Sequence, residues 1–129
     1  MLVDSGVWID WIRVRETVAT RLLDIALDKG DVVLAPVIVQ ELLQGARDEP
    51  SLNELKAMLS GQPMLMPGLE THIAAAEVYA RCRWRGLTVR SPHDCLIACL
   101  ALEHGDPLLA EDRDYRVIRQ VLPDLELLP

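Results

Sequence analysis

A chain of 129 residues, half of them hydrophobic and 26% charged, holds enough apolar side chain for one buried core and too much for a disordered segment. With 13 lysines and arginines against 20 aspartates and glutamates, the net charge is -7; that balance disfavours holding nucleic acid by bulk electrostatics but suits a site that gathers carboxylates around divalent cations. No apolar run approaches the roughly 20 residues of a bilayer span, the amino end lacks the basic start of a secretory signal, and three cysteines, Cys82, Cys95 and Cys99, argue against a disulfide framework. The expectation is a single domain over residues 1–129, in the cytoplasm, without a membrane and with reduced thiols.

Leu2 and Val3 form a short apolar run closed by Asp4, and the apolar residues Val7, Trp8, Ile9, Trp11 and Ile12 then mark a first helix. Trp8 and Trp11 read as core. From Glu16 to Lys29 apolar residues recur at helical spacing until Gly30 ends the pattern. Asp31 to Ala35 reads as a buried strand, and Pro36 suits the first turn of a helix from Val37 to about Arg47. Ser51 to Leu59 predicts a short helix, Pro63 to Met66 a third strand, and Leu69 to Arg85 a long helix stopped by Gly86. Ser91 and Pro92 open a helix that is apolar almost all round from Cys95 to Leu102, which argues for burial on several sides. Leu108 to Ala110 predicts a fourth strand, Arg113 to Val121 a last helix, and Leu125 to Leu128 a fifth strand. Short apolar strands alternating with amphipathic helices call for a parallel sheet covered on both faces.

Ligands of an open parallel sheet bind beyond the carboxyl ends of its strands, and acids fall there repeatedly. Asp4 closes the first strand, Asp112 and Asp114 follow the fourth, Glu41 lies in the helix after the second, and Asp94 sits in the first turn of the apolar helix. Hard oxygen ligands of this kind suit magnesium or manganese. Each acid also has a plainer reading. Asp4 and Asp112 fit helix N-caps, Ser91 and Asp94 fit a capping box, and Glu41 fits a solvent-facing stripe with Gln40 and Gln44.

Taken together, these segments resemble the PIN-domain ribonucleases, in particular the VapC toxins of prokaryotic toxin-antitoxin pairs. The similarity lies in Val3-Asp4-Ser5-Gly6-Val7-Trp8-Ile9-Asp10, in Pro36 to Arg47 around Glu41, in Asp94-Cys95-Leu96-Ile97-Ala98, and in Leu108 to Tyr115. It covers the whole chain in order. The resemblance implies a small α/β/α sandwich with a short central parallel sheet. It further implies a magnesium- or manganese-dependent endoribonuclease that leaves a 5′-phosphate and a 3′-hydroxyl, a VapB-type antitoxin covering the site, and a homodimer. Asp4, Glu41, Asp94 and Asp112 are the expected metal ligands. Asp114 is expected to help Asp112. Arg90, Arg13 and Arg47 are candidates for binding substrate phosphate. The chain departs from many relatives at Ala110, where they carry a threonine or serine before the last acids.

Other chemistries fit less well. His93, Cys95 and Cys99 lie close in sequence, but no second Cys/His pair completes a zinc site, and cysteine in an apolar helix is usually core filler. A receiver-like signalling or interaction module shares the topology class but needs a lysine at its acidic pocket, and the only lysines, Lys29 and Lys56, fall on helices away from the strand ends. A haloacid-dehalogenase phosphatase needs an acid two residues after Asp4, where this chain has Gly6.

Overall fold

The computed structural model describes residues 1–129. In chain order the elements are β1 (Leu2–Val3), α1 (Ser5–Ile12), α2 (Val18–Lys29), α3 (Pro36–Leu43), α4 (Glu49–Leu59), α5 (Leu69–Trp84), α6 (Pro92–Glu103), β2 (Leu108–Leu109), α7 (Arg113–Arg119) and β3 (Leu127–Leu128). The three strands form a parallel sheet in the order β1-β2-β3, with Leu2 opposite Leu108 and Leu108 opposite Leu127.

Two of the five predicted strands are reduced to single parallel bridges, Leu2 with Val33 and Leu34 with Met64. Prolines account for this. Pro36 starts α3 immediately after Ala35, and Pro63 offers no backbone N–H, so only isolated bonds form, such as Leu34 N to the Pro63 carbonyl at 2.8 Å. Those bridges still extend the sheet on the β1 side. Helix ends also contract: α3 stops at Leu43 rather than near Arg47, and α7 at Arg119 rather than Val121.

Leu2, Val3, Leu108 and Leu109 are all completely buried. Successive residues of a strand point to opposite faces, so helices cover both sides of the sheet, as expected for an α/β/α sandwich. α1 packs on α2 and α3, and α5 packs on α6, which in turn packs on α7. The apolar α6 runs through the middle of this assembly, with Cys95, Ile97, Ala98, Leu100 and Ala101 all at 0% exposure. Trp8 is buried in the core, whereas Trp11 is only half-buried: it meets Trp8 edge-on at 5.9 Å and its indole N–H donates to Asp24 Oδ1 at 2.7 Å. No helix is long and apolar enough to cross a membrane.

This frame positions the acids. β1 and β2 lie side by side and parallel, so their carboxyl ends are neighbours, and each runs straight into a helix through an N-capping aspartate.

Candidate active site

Asp4 leaves β1 with its backbone N–H still bonded to the Leu109 carbonyl, at 3.0 Å. Its Oδ2 caps α1 by accepting from the Gly6 N–H at 3.3 Å, so the capping role is real. That role does not use up the side chain. Oδ1 points inward and accepts from the Tyr115 hydroxyl at 2.7 Å, and burial pushes the Asp4 carboxyl above the ordinary carboxylate range.

Asp94 lies in the first turn of α6 and accepts from the same hydroxyl at 3.2 Å. The capping box expected from Ser91 and Asp94 does not form. Ser91 makes no side-chain cap bond, its backbone N–H goes to Asp114 Oδ2, and the Asp94 carboxyl meets the Tyr115 hydroxyl instead. Burial, reinforced by the negative charges of Asp4 and Asp112, pushes the Asp94 carboxyl up to about 8. At neutral pH it therefore holds a proton unless a cation replaces that proton.

Asp112 caps α7 through the Asp114 N–H at 2.9 Å and leaves 40% of its side chain exposed. Asp114 is different, with only 2% of its side chain exposed. Its Oδ2 accepts from the backbone N–H of Arg90 at 2.9 Å and of Ser91 at 3.3 Å, and its Oδ1 from Arg90 Nε at 3.4 Å. It ties the loop entering α6 to the start of α7. One oxygen from each of Asp94, Asp112 and Asp114 lies within 4.8 Å of the others.

Glu41 faces the same region from α3. It is half-buried, and its Oε1 is enclosed without any hydrogen-bond donor. Burial and then the charge of Asp4 push its carboxyl up, with His93 opposing. A purely solvent-facing role is therefore ruled out for Glu41. An enclosed acceptor without a donor, close enough to Asp4 to feel its charge, is an arrangement a hard divalent cation satisfies, and every candidate ligand is an oxygen.

Tyr115 is a residue that the sequence reading does not single out. It is completely buried, yet its hydroxyl links Asp4 to Asp94 across 111 and 21 residues of sequence. A tyrosine on the buried side of a helix that begins with two acids was the available signal, since a buried phenol needs a partner.

Of the basic candidates, Arg90 is engaged with the acids: Nη2 meets Asp112 Oδ1 at 3.2 Å. Arg13 lines the small concavity that contains Glu41, together with Ile9 and Leu42, and Arg13 and Arg47 line the adjoining groove beside Ser51 and Leu55. The cysteines are free and buried, and burial pushes the Cys95 thiol up to about 12 and Cys99 up to about 11. Burial favours the neutral thiol in both, and neither cysteine belongs to a cluster of possible metal ligands.

Carboxylates collected at the ends of adjacent parallel strands form an all-oxygen cluster of the kind that can hold a metal ion. The chain belongs to the PIN domain family, whose family model matches residues 1–121. It is 32% identical over 126 residues to VapC ribonuclease Mb1587 of Mycobacterium bovis and to Ribonuclease VapC11 of Mycobacterium tuberculosis, covering 94% of this chain and 92% of each relative. In fold it is similar to VapBC2 from Rickettsia felis bound to a DNA fragment from their promoter, with a TM-score of 0.76 and 16% identity over 98% of this chain and 96% of that one. It is similar as well to FitAcB from Neisseria gonorrhoeae, with a TM-score of 0.75 and 18% identity over 99% and 96% of the two chains.

Proposed function

We propose that this chain is a cytoplasmic, metal-dependent endoribonuclease, the VapC-type toxin of a toxin-antitoxin pair, with residues 1–129 acting as one nuclease domain. The observation that carries this reading is the convergence of the Asp94, Asp112 and Asp114 oxygens beside the Tyr115-linked Asp4, in a chain whose relatives are VapC ribonucleases.

Asp4, Glu41, Asp94 and Asp112 are the residues that would hold the ion, magnesium or manganese. Bound there, such an ion would supply a more acidic water and offset negative charge on the scissile phosphate. The protein supplies the positioning. The Tyr115 hydroxyl fixes Asp4 and Asp94 relative to each other, and Asp114 fastens the Arg90–Ser91 loop so that Asp94 enters the site at one height. Between the two acids after β2, Asp112 is the ligand and Asp114 the helper, because the oxygens of Asp114 already accept three N–H groups. Arg13 and Arg47 lie along the groove that leaves Glu41 and suit the phosphates of an RNA strand passing through it.

A nuclease acting on its own cell's RNA needs restraint, and the fold neighbours are toxin-antitoxin complexes. The partner proposed is a VapB-type antitoxin carrying a basic group to the acidic site, favoured by the net charge of -7. A homodimer is the proposed assembly. The test is cleavage of single-stranded RNA by protein freed of contaminating nuclease. Cutting that requires magnesium or manganese, stops with EDTA and stops again on adding the antitoxin is the expected result; cutting undiminished by EDTA overturns it.

A further inference from the structure

The carboxylate cluster already holds one cation of its own. The Arg90 guanidinium straddles two acids, with Nη2 on Asp112 Oδ1 at 3.2 Å and Nε on Asp114 Oδ1 at 3.4 Å. Those two carboxyls are also the ones whose oxygens converge with Asp94 within 4.8 Å. A divalent ion held by Asp112 and Asp94 would stand against a guanidinium on the same Asp112 carboxylate, and like charges at such separations repel.

The attachment of Arg90 differs between its two ends. Its backbone N–H and that of Ser91 are locked to Asp114 Oδ2 at the edge of the core, whereas 56% of its side chain is exposed. The guanidinium can therefore leave the acids by rotating its own stem into solvent, with no movement of the loop. A planar fork freed at the rim of a nuclease site is the group that takes a phosphate with two parallel hydrogen bonds.

We propose that Arg90 is a resident counter-cation of the carboxylate cluster, displaced from Asp112 when a divalent ion enters and thereby released to grip a phosphate of the RNA. This rests on the metal-carboxylate reading above. It makes the phosphate clamp available only when the ion is in place, and it spares the ion-free cluster part of its mutual repulsion.

The experiment is calorimetric titration of the full chain with manganese in the absence of RNA. Arg90→Gln is expected to bind manganese about fivefold more tightly than the unaltered protein, the scale of losing an exposed competing ion pair. Arg113→Gln removes the same charge from an exposed residue between Asp112 and Asp114 and should leave the affinity unchanged. Arg90→Lys retains the charge but not the fork, so its affinity should fall between the two, and this variant decides the matter should Arg90→Gln not fold. At saturating manganese Arg90→Gln should raise KM for RNA at least as much as it lowers kcat. Equal manganese affinity in the Arg90 variants and the unaltered protein overturns the counter-cation role alone. A tighter site with an unchanged KM overturns the phosphate role. An unaltered protein that binds no manganese overturns the metal reading itself.

Discussion

The first turns of α6 and α7 each bury an aspartate, Asp94 at 6% exposure and Asp114 at 2%, and treat it in opposite ways. Asp114 receives three N–H donors, two of them backbone groups of the neighbouring loop, whereas Asp94 receives only the Tyr115 hydroxyl, which it shares with Asp4. Donors make a buried carboxylate tolerable, and their scarcity leaves it raised and waiting for a cation. Depth of burial therefore says little about the role of an acid here. The donor count separates the clamp from the ligand.

The largest expected effect tests the Asp94 side of that contrast. Asp94→Asn should reduce RNA cleavage by more than about a hundredfold, since even altering a residue that merely supports a metal ligand costs about that much, while the ion-free fold is as stable or more stable. A pH series carries the sign. With its carboxyl at about 8 in the folded chain and 3.8 when unperturbed, Asp94 binds a proton that the unfolded chain lacks between those two values. Stability of the protein in chelator should thus fall as pH rises through this window and level off above it. Asp4 and Glu41, also raised by burial, add to the same slope. Thermal melts from pH 5 to 8 check this, and Asp94→Asn should flatten the dependence; a rising melting temperature across that range would contradict it.

Asp114→Ala probes the other side. It leaves the backbone N–H groups of Arg90 and Ser91 without their acceptor, and should cost about 2 kcal/mol of unfolding free energy. Urea denaturation measures that loss. An Asp114→Ala protein as stable as the original, yet devoid of manganese binding, would reverse the assignment and make Asp114 the ligand. The smallest effect belongs to Tyr115→Phe, which removes the shared hydroxyl and should cost about 1 kcal/mol. Because the hydroxyl stabilises the ionised forms of Asp4 and Asp94, the deficit should be greater at pH 8 than at pH 5. An equal deficit at both would mean that the hydroxyl merely fills space.

Much of this arrangement was legible along the chain. Leu2–Val3 before Asp4, Leu108–Leu109 before Asp112, and the apolar helix after Asp94 carry their own local signals, and periodicity located all seven helices with errors only at their ends. The strands at Asp31–Ala35 and Pro63–Met66 were overextended, because an apolar run announces burial but not how many backbone bonds its flanking prolines permit. Of the acids that the sequence marks, Asp94, Asp112 and Asp114 converge, Asp4 joins Asp94 through Tyr115, and Glu41 stands within reach of the charge of Asp4. The sequence suggests Asp112 as ligand and Asp114 as helper, but not the N–H donors that hold Asp114 in place. Tyr115 is not singled out by the sequence: its ring lies in the core, and only its hydroxyl belongs to the site.

Composition, pattern and the position of the acids at strand ends therefore determined the layered α/β architecture and the oxygen-rich character of the site, because burial periodicity and strand polarity are properties of neighbours in sequence. Tertiary structure alone decided which acid is clamped and which is starved of donors, that Ser91 leaves Asp94 uncapped, and that Arg90 rests on Asp112 and Asp114. The contacts behind those outcomes join groups far apart in sequence, such as Tyr115 with Asp94 and with Asp4, at separations of 21 and 111. A hydrogen bond is fixed by tenths of an ångström in space, which no spacing along a chain encodes.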